Sequence, residues 1–287
     1  MTKALELEEW GGTGPVLHLA HANGFPPGTY RKLIEALKSR YRVVTVRTRC
    51  LVPGSQPSDL RTWEDMADDL LEALRAARLE GIVGVGHSMG GVATLLASVK
   101  APTLFRAIVA LDPVLITGKR AALLRLLTWL GQRHRVPPAS LARRRREHWG
   151  SREEAGDSYR RKPLFRSFDP ECFQDYLAHG LTEEPGGGVR LTIPRAWEAR
   201  VFETSPKDVW RSLRSVTVPT LIVRGRESAT LTPQGLERAR RTLPGVQVDE
   251  LPGGHLFPLE HPDATVRRVL AFLAEREPGA DAARLAR

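Results

Sequence analysis

The sequence predicts an α/β fold, a mostly parallel sheet with helices on both faces, and three observations carry that reading. Short apolar runs recur along the chain. Amphipathic stretches with helical spacing lie between them. The alternation breaks once, in the middle, and then resumes.

The runs 16–20, 43–46, 82–85, 108–111 and 221–223 are rich in Val, Ile and Leu. Strands covered on both faces of a parallel sheet have this near-continuous apolar character. The stretch 246–251 alternates instead and reads as a last strand toward one edge. Segments 30–39, 63–79, 92–99, 234–241 and 264–275 place apolar residues three and four apart and are expected to be helices. Strand followed by helix, repeated, gives parallel pairing through right-handed crossovers.

Between 115 and 214 the rhythm stops. This stretch is helical in pattern, rich in Arg and Trp, and broken by Pro137-Pro138 and by Gly186-Gly187-Gly188. The strand–helix beat returns at Pro219. The expected organisation is therefore a core of 1–114 and 215–287 carrying a helical cap, 115–214. Residues 277–287 are polar, contain Pro278-Gly279, and are expected to fray.

Composition narrows the function classes. The chain has 287 residues, 41% hydrophobic and 26% charged, as in an ordinary globular protein. It carries 43 Lys and Arg against 33 Asp and Glu, a formal net charge of +10. The basic residues are mostly Arg and are spread along the whole chain. The densest run, 143–146, sits among charges of both signs and reads as a solvated helix face, so no nucleic-acid partner is expected. Cys50 and Cys172 lie far apart with no metal-ligand spacing, as in reduced thiols of a cytosolic protein. Residues 1–10 carry Glu6, Glu8 and Glu9 and lack the basic-then-apolar order of a signal peptide. No run reaches the ~18 apolar residues of a membrane span. The expectation is a cytoplasmic protein acting on a small molecule.

The strongest chemical signal is Gly86-His87-Ser88-Met89-Gly90-Gly91, between a buried strand and a helix. A serine on a tight strand-to-helix turn holds its hydroxyl above the sheet. Small residues two before and two after it let neighbouring backbone pass closely. The helix that starts there favours developing negative charge, and the Met89 N–H is a natural oxyanion donor. A phosphate loop is the competing reading of Gly84 and Gly86. It fails because the third glycine, Gly90, falls one place late and no acidic residue closes a second strand.

Two further loops sit at strand ends. His21-Ala22-Asn23-Gly24-Phe25-Pro26-Pro27 follows the strand 16–20 and would present backbone N–H groups there, with Asn23 as the second oxyanion donor. His18 and His21, three apart, are expected on opposite sides, which argues against a metal pair and leaves His21 to brace the loop. Pro252-Gly253-Gly254-His255 follows the last strand, and its glycines let a short loop carry the imidazole of His255 as general base.

Together these stretches resemble the α/β-hydrolase superfamily, and most closely its bacterial esterase-like members with an HxNGFP oxyanion loop. The resemblance runs from about Val16 to Phe272. It implies Ser88 as nucleophile, His255 as base, the backbone of Asn23 and Met89 as oxyanion hole, no metal or organic cofactor, and hydrolysis of an ester or related acyl bond through an acyl-enzyme. One departure stands out. Such relatives read Gly-x-x-Ser-Asp after the later strand, and here the acid position of Gly225-Arg226-Glu227-Ser228-Ala229 holds Ala229.

Three explanations compete. The acid comes from Asp112, at the end of the strand before the insertion; or the acid has been removed, which slows turnover; or the fold serves as a small-molecule-binding scaffold without catalysis. Glu227 is a weaker acid candidate. Phe25, Trp129, Trp197 and Phe202 are the aromatic candidates for a substrate pocket. An apolar lid points to a neutral, partly hydrophobic ester or a carbon–carbon bond beside a ketone, whereas the many arginines of 115–214 point to a carboxylate.

Overall fold

The computed structural model describes residues 5–135, 137–206 and 209–276; the expected fraying of 277–287 lies outside them. The strands are β1 (Leu7–Gly11), β2 (Val16–Ala20), β3 (Arg42–Val46), β4 (Ile82–His87), β5 (Phe105–Leu111), β6 (His148–Trp149), β7 (Leu181–Glu183), β8 (Val189–Leu191), β9 (Thr220–Gly225) and β10 (Gln247–Leu251). Seven form one sheet in the order β1-β3-β2-β4-β5-β9-β10. Every pair in it is parallel except β1 with β3. This is the mixed architecture that the apolar runs predict, with β10 at one edge.

The antiparallel β1 is absent from the sequence reading. Its residues, Leu7-Glu8-Glu9-Trp10-Gly11, are only partly buried. An edge strand open to water carries no continuous apolar run, so its signal is weak. Its charges are used locally: Glu8 and Glu9 accept hydrogen bonds from Arg47 and Arg42 of the neighbouring strand region.

The central strands are buried on both faces because alternate side chains enter two separate cores. Val83, Val85, Val109 and Val223 point into one with Leu33, Phe257 and Phe272. Ile82, Ile108, Ala110 and Ile222 point into the other with Leu70, Leu74, Leu95 and Leu236. The helices that cover them start where local chemistry dictates. Thr62 and Asp65 form a reciprocal capping box at Trp63–Ala76. Thr232 caps Pro233–Thr242, with Pro233 in its first turn.

The segment between β5 and β9 holds the helices Gly118–Trp129, Ala139–Arg143, Arg152–Arg160, Pro170–His179, Arg195–Glu203 and Trp210–Leu213. It also holds a small antiparallel sheet, β6-β8-β7, that the helical pattern did not announce. These strands are two or three residues long, too short for alternation to register. The glycines read only as a break close the β7–β8 hairpin: Gly187 and Gly188 both have positive φ, and the Glu184 N–H donates to the Gly188 carbonyl.

This segment is bolted to the sheet by aromatic and polar contacts. Phe25 packs on Phe165, Phe168 and Tyr176. Trp63 Nε1 donates to the Val201 carbonyl at 2.8 Å; within the segment itself, Trp210 Nε1 donates to the Ile116 carbonyl at 2.9 Å. Among the described residues, no helix is long and apolar enough to cross a membrane.

Candidate active site

The turn after β4 sets the first side chain. Ser88 has φ 57° and ψ −116°, a left-handed conformation that non-glycine residues rarely adopt. Its N–H donates to the Leu111 carbonyl at 2.9 Å, so the strain is held by the adjacent strand. Neither neighbouring glycine can be enlarged. A Cβ on Gly86 would stand 2.5 Å from the Gly90 carbonyl oxygen, and one on Gly90 would stand 2.5 Å from that of Ala20. The helix Met89–Lys100 begins on the next residue, as the motif predicts.

His255, on the loop after β10, meets this turn. Its Nε2 lies 2.9 Å from Ser88 Oγ and its Nδ1 lies 2.7 Å from Asp112 Oδ2. A carboxylate accepts only, so Nδ1 carries the proton and Nε2 is left to accept from the Ser88 hydroxyl. Asp112 is fully buried just past β5, with φ 41°. Its Oδ1 accepts from the Gly225 N–H at 2.9 Å, and its Oδ2 also accepts from Ser228 Oγ at 2.6 Å. The carboxylate therefore has three donors, which offsets much of the cost of burying its charge.

Ala229 has no part in this contact. It is exposed, and its carbonyl accepts from Arg120 Nη1 at 2.8 Å. Glu227 is exposed as well. Of the carboxylates weighed from sequence, only Asp112 reaches His255.

A second polar chain joins the three loops. Tyr30 Oη accepts from the Ala22 N–H at 3.2 Å and donates to His87 Nδ1 at 2.7 Å. His87 Nε2 then donates to the His255 carbonyl at 2.8 Å. Burial, with His255 alongside, pulls the His87 imidazole down to about 3, so it is neutral and holds the single ring proton this chain needs. Burial likewise raises the Tyr30 phenol, which stays a donor. Sequence reasoning missed Tyr30, His87 and Ser228. His87 sits inside the serine motif, but nothing local shows what its ring faces.

On the loop after β2, Asn23 Nδ2 donates to the Glu198 carbonyl at 2.9 Å, and Asn23 Oδ1 is buried without a partner. The Asn23 and Met89 backbone N–H groups have no acceptor among the described residues; for Met89 this follows from its place at the first position of its helix. His21 braces the loop: Nδ1 donates to the Ala22 carbonyl and Nε2 accepts from Thr48 Oγ1, both at 2.8 Å. His18 and His21 do not lie on unrelated sides as the spacing suggested. Both border a small cavity, because the chain leaves β2 at Ala20 before His21 is placed. Among the described residues, no group of three or more His, Cys, Asp or Glu is placed to hold a metal ion.

Ser88, Met89, Asn23 and His255 open into a cavity of about 590 Å³ whose walls include Phe25, Trp63, Leu124, Leu127, Val201 and Phe202. Phe25 and Phe202 thus line this cavity. The other two aromatic candidates do not. Trp129 is 81% exposed and borders no cavity wall here, because it points off the outer face of its helix. Trp197 is buried against the smaller cavity, beside Met89 and Gly90. Helical residues one position apart point about 100° apart, so a tryptophan on a pattern apolar on several sides gives no direction.

A serine–histidine–aspartate hydrogen-bonded chain at the carboxyl ends of a parallel sheet, at a strand-to-helix turn, defines a class of protein. Residues 17–268 match the model of the Alpha/beta hydrolase family, and the chain belongs to that family. It is similar to 2-(acetamidomethylene)succinate hydrolase of Mesorhizobium japonicum, 24% identical over 280 residues that cover 91% of this chain and 89% of the relative. It is also similar to 3-oxoadipate enol-lactonase 1 of Acinetobacter baylyi, at 23% over 265 residues, 90% of this chain and 88% of that one. Among solved structures, E-2-(acetamidomethylene)succinate hydrolase superposes with a TM-score of 0.76 at 22% identity, over 93% of this chain and 94% of the other. The thioesterase domain from the curacin biosynthetic pathway superposes with a TM-score of 0.71 at 19% identity, over 92% and 94%.

Proposed function

We propose that the protein is a serine hydrolase that cleaves an ester or related acyl bond of a small, partly hydrophobic substrate through an acyl-enzyme on Ser88. The observation that carries this reading is the unbroken chain from Ser88 Oγ through His255 to Asp112 Oδ2, each link within hydrogen-bond reach.

The chemistry follows from those contacts. His255 Nε2 takes the Ser88 proton as Oγ bonds to the carbonyl carbon, and the carbonyl electrons move onto its oxygen. The Asn23 and Met89 N–H groups receive that oxyanion. Asp112 stabilises the imidazolium, which protonates the departing alkoxide as the carbon–oxygen bond breaks. Water then attacks the acyl carbon, giving its proton to His255, and the acid leaves as Ser88 is reprotonated. The 115–214 segment acts as the cap, supplying Leu124, Leu127, Val201 and Phe202 to the cavity wall.

The wall favours a neutral acyl group over a carboxylate. Arg133 directs both terminal nitrogens to Ser205, at 2.6 Å each, and Arg120 donates to the Ala229 carbonyl. What remains is largely aliphatic and aromatic. Asn23 Oδ1, buried and unpartnered, suits a donor on the substrate.

The test is hydrolysis of p-nitrophenyl butyrate together with labelling by a fluorophosphonate. The expected result is one label per chain on Ser88, and loss of both label and turnover in Ser88→Ala. A wild-type chain that neither labels nor turns over acyl substrates would instead make it a binding protein on this scaffold.

A further inference from the structure

The six large hydrophobic side chains that stand exposed among the described residues all fall between 123 and 164, in the segment that borders the mouth of the large cavity: Leu123, Leu126, Trp129, Leu130, Leu141 and Leu164. Four share the helix Gly118–Trp129 and the residue that follows it. Spacings of three and four put Leu123, Leu126 and Leu130 on one side, with Trp129 beside them. Leu124 and Leu127 line the cavity, and so does Leu123, which stands four residues before Leu127 on the same side of the helix. The helix is therefore apolar around much of its circumference: Leu123, Leu124 and Leu127 line the cavity, and Leu126, Trp129 and Leu130 are exposed without lining it.

The charge around the outer face is of one sign. No Asp or Glu occurs between Asp112 and Glu147, whereas Lys and Arg recur throughout. Arg143, Arg145 and Arg146 are paired with Glu203, Glu198 and Glu154. Lys119, Arg125, Arg135 and Arg144 have no carboxylate within ion-pair distance among the described residues. Arg125 and Arg120 flank the exposed leucines on either side of the helix.

We infer that this face docks on an anionic lipid bilayer surface, with Leu126, Trp129 and Leu130 entering the headgroup boundary and Lys119, Arg125 and Arg135 meeting lipid phosphates. Exposed apolar side chains flanked by cations suit an interfacial surface, and each half of the pattern contributes to binding. A second copy of the chain fits the face poorly, since two such surfaces would bring unpaired cations together. An exposed apolar patch of this kind otherwise promotes association, which gives it a reason to be covered. The inference does not rest on the serine chemistry. It places the cavity mouth at the lipid surface whatever the protein does there.

Vesicle co-sedimentation of the full chain tests it, using phosphatidylcholine vesicles with and without about 30% phosphatidylglycerol, at low and high salt. The expected result is at least ~10-fold more protein on the anionic vesicles at low salt, with that excess lost at high salt. The triple variant Leu126→Ser, Trp129→Ser, Leu130→Ser should lose binding, and Arg125→Glu should weaken it. These side chains are exposed, so an unchanged thermal melt confirms that each variant folds. Equal sedimentation with neutral and anionic vesicles would overturn the inference, as would undiminished binding by the folded triple variant. A concentration-dependent dimer abolished by the triple substitution, without vesicle binding, would assign the face to self-association instead.

Discussion

Asp112 and His255 are 143 residues apart in sequence and 2.7 Å apart in the fold, and the contact is made at the end of β5 rather than of β9. The carboxylate is fully buried and the alanine at the other acid position is exposed. Ala229 therefore does not leave His255 without a carboxylate partner.

Asp112→Asn is expected to lower kcat for p-nitrophenyl butyrate by about 10⁴, because an amide cannot hold the imidazole in the required tautomer. Ala229→Asp is expected to change the rate less than about threefold, since that side chain starts from an exposed position. A rise of about a hundredfold in Ala229→Asp would show that position 229 is the acid site after all.

Ser228 acts on Asp112, not on substrate. Ser228→Ala removes a 2.6 Å hydrogen bond to the oxygen that also faces His255. A charge-assisted bond of this kind is worth about 1.5–3 kcal/mol, so a drop in kcat of about tenfold with KM nearly constant is expected. Ser228→Thr, which keeps the hydroxyl, should recover most of it. A change confined to KM would remove Ser228 from this role.

The buried histidines tie stability to pH. His18 and His87 are each pulled down to about 3, chiefly by burial, against about 6.5 in the unfolded chain. Between those values the unfolded state binds protons that the folded state does not, so stability rises with pH there and is lost as pH falls from about 6.5 toward 3. Each histidine adds about 1 kcal/mol per pH unit to that slope. Denaturant unfolding between pH 4 and pH 7 measures it, and His87→Gln should flatten it. An unchanged slope in that variant would mean that His87 is not the group responsible.

The loop 21–27 is tied to the segment beside it through a charged residue pair. Arg145 pairs with Glu198 at 2.7 Å and also donates to Tyr159 and Tyr176, while the Glu198 carbonyl holds the Asn23 amide. Arg145→Met leaves the Glu198 carboxylate largely buried without its cation and is expected to cost about 3–5 kcal/mol, read as a lower denaturant midpoint. Paired replacement of Arg145 and Glu198 by apolar residues should cost less than the single change. A double cost equal to the sum of the two single costs would show that the pair is not coupled.

The sequence by itself determined the sheet, the serine turn and the histidine loop. Each is written locally: apolar runs buried on both faces, glycines at 86 and 90 where neighbouring backbone leaves no room for a Cβ, and a glycine-borne histidine after the last strand. It named Asp112 but could not choose it over an empty position at 229, because the choice depends on which strand end faces His255. Tertiary structure decided that, through Ser228 and the Gly225 N–H converging on one carboxylate. It also decided the directions of Trp129 and Trp197, the first to solvent and the second into the smaller cavity beside Met89. The edge strand β1 and the small β6-β8-β7 sheet were invisible for a related reason. Periodicity reports which residues are apolar and how they are spaced, whereas the partner each face meets is fixed only when distant segments pack.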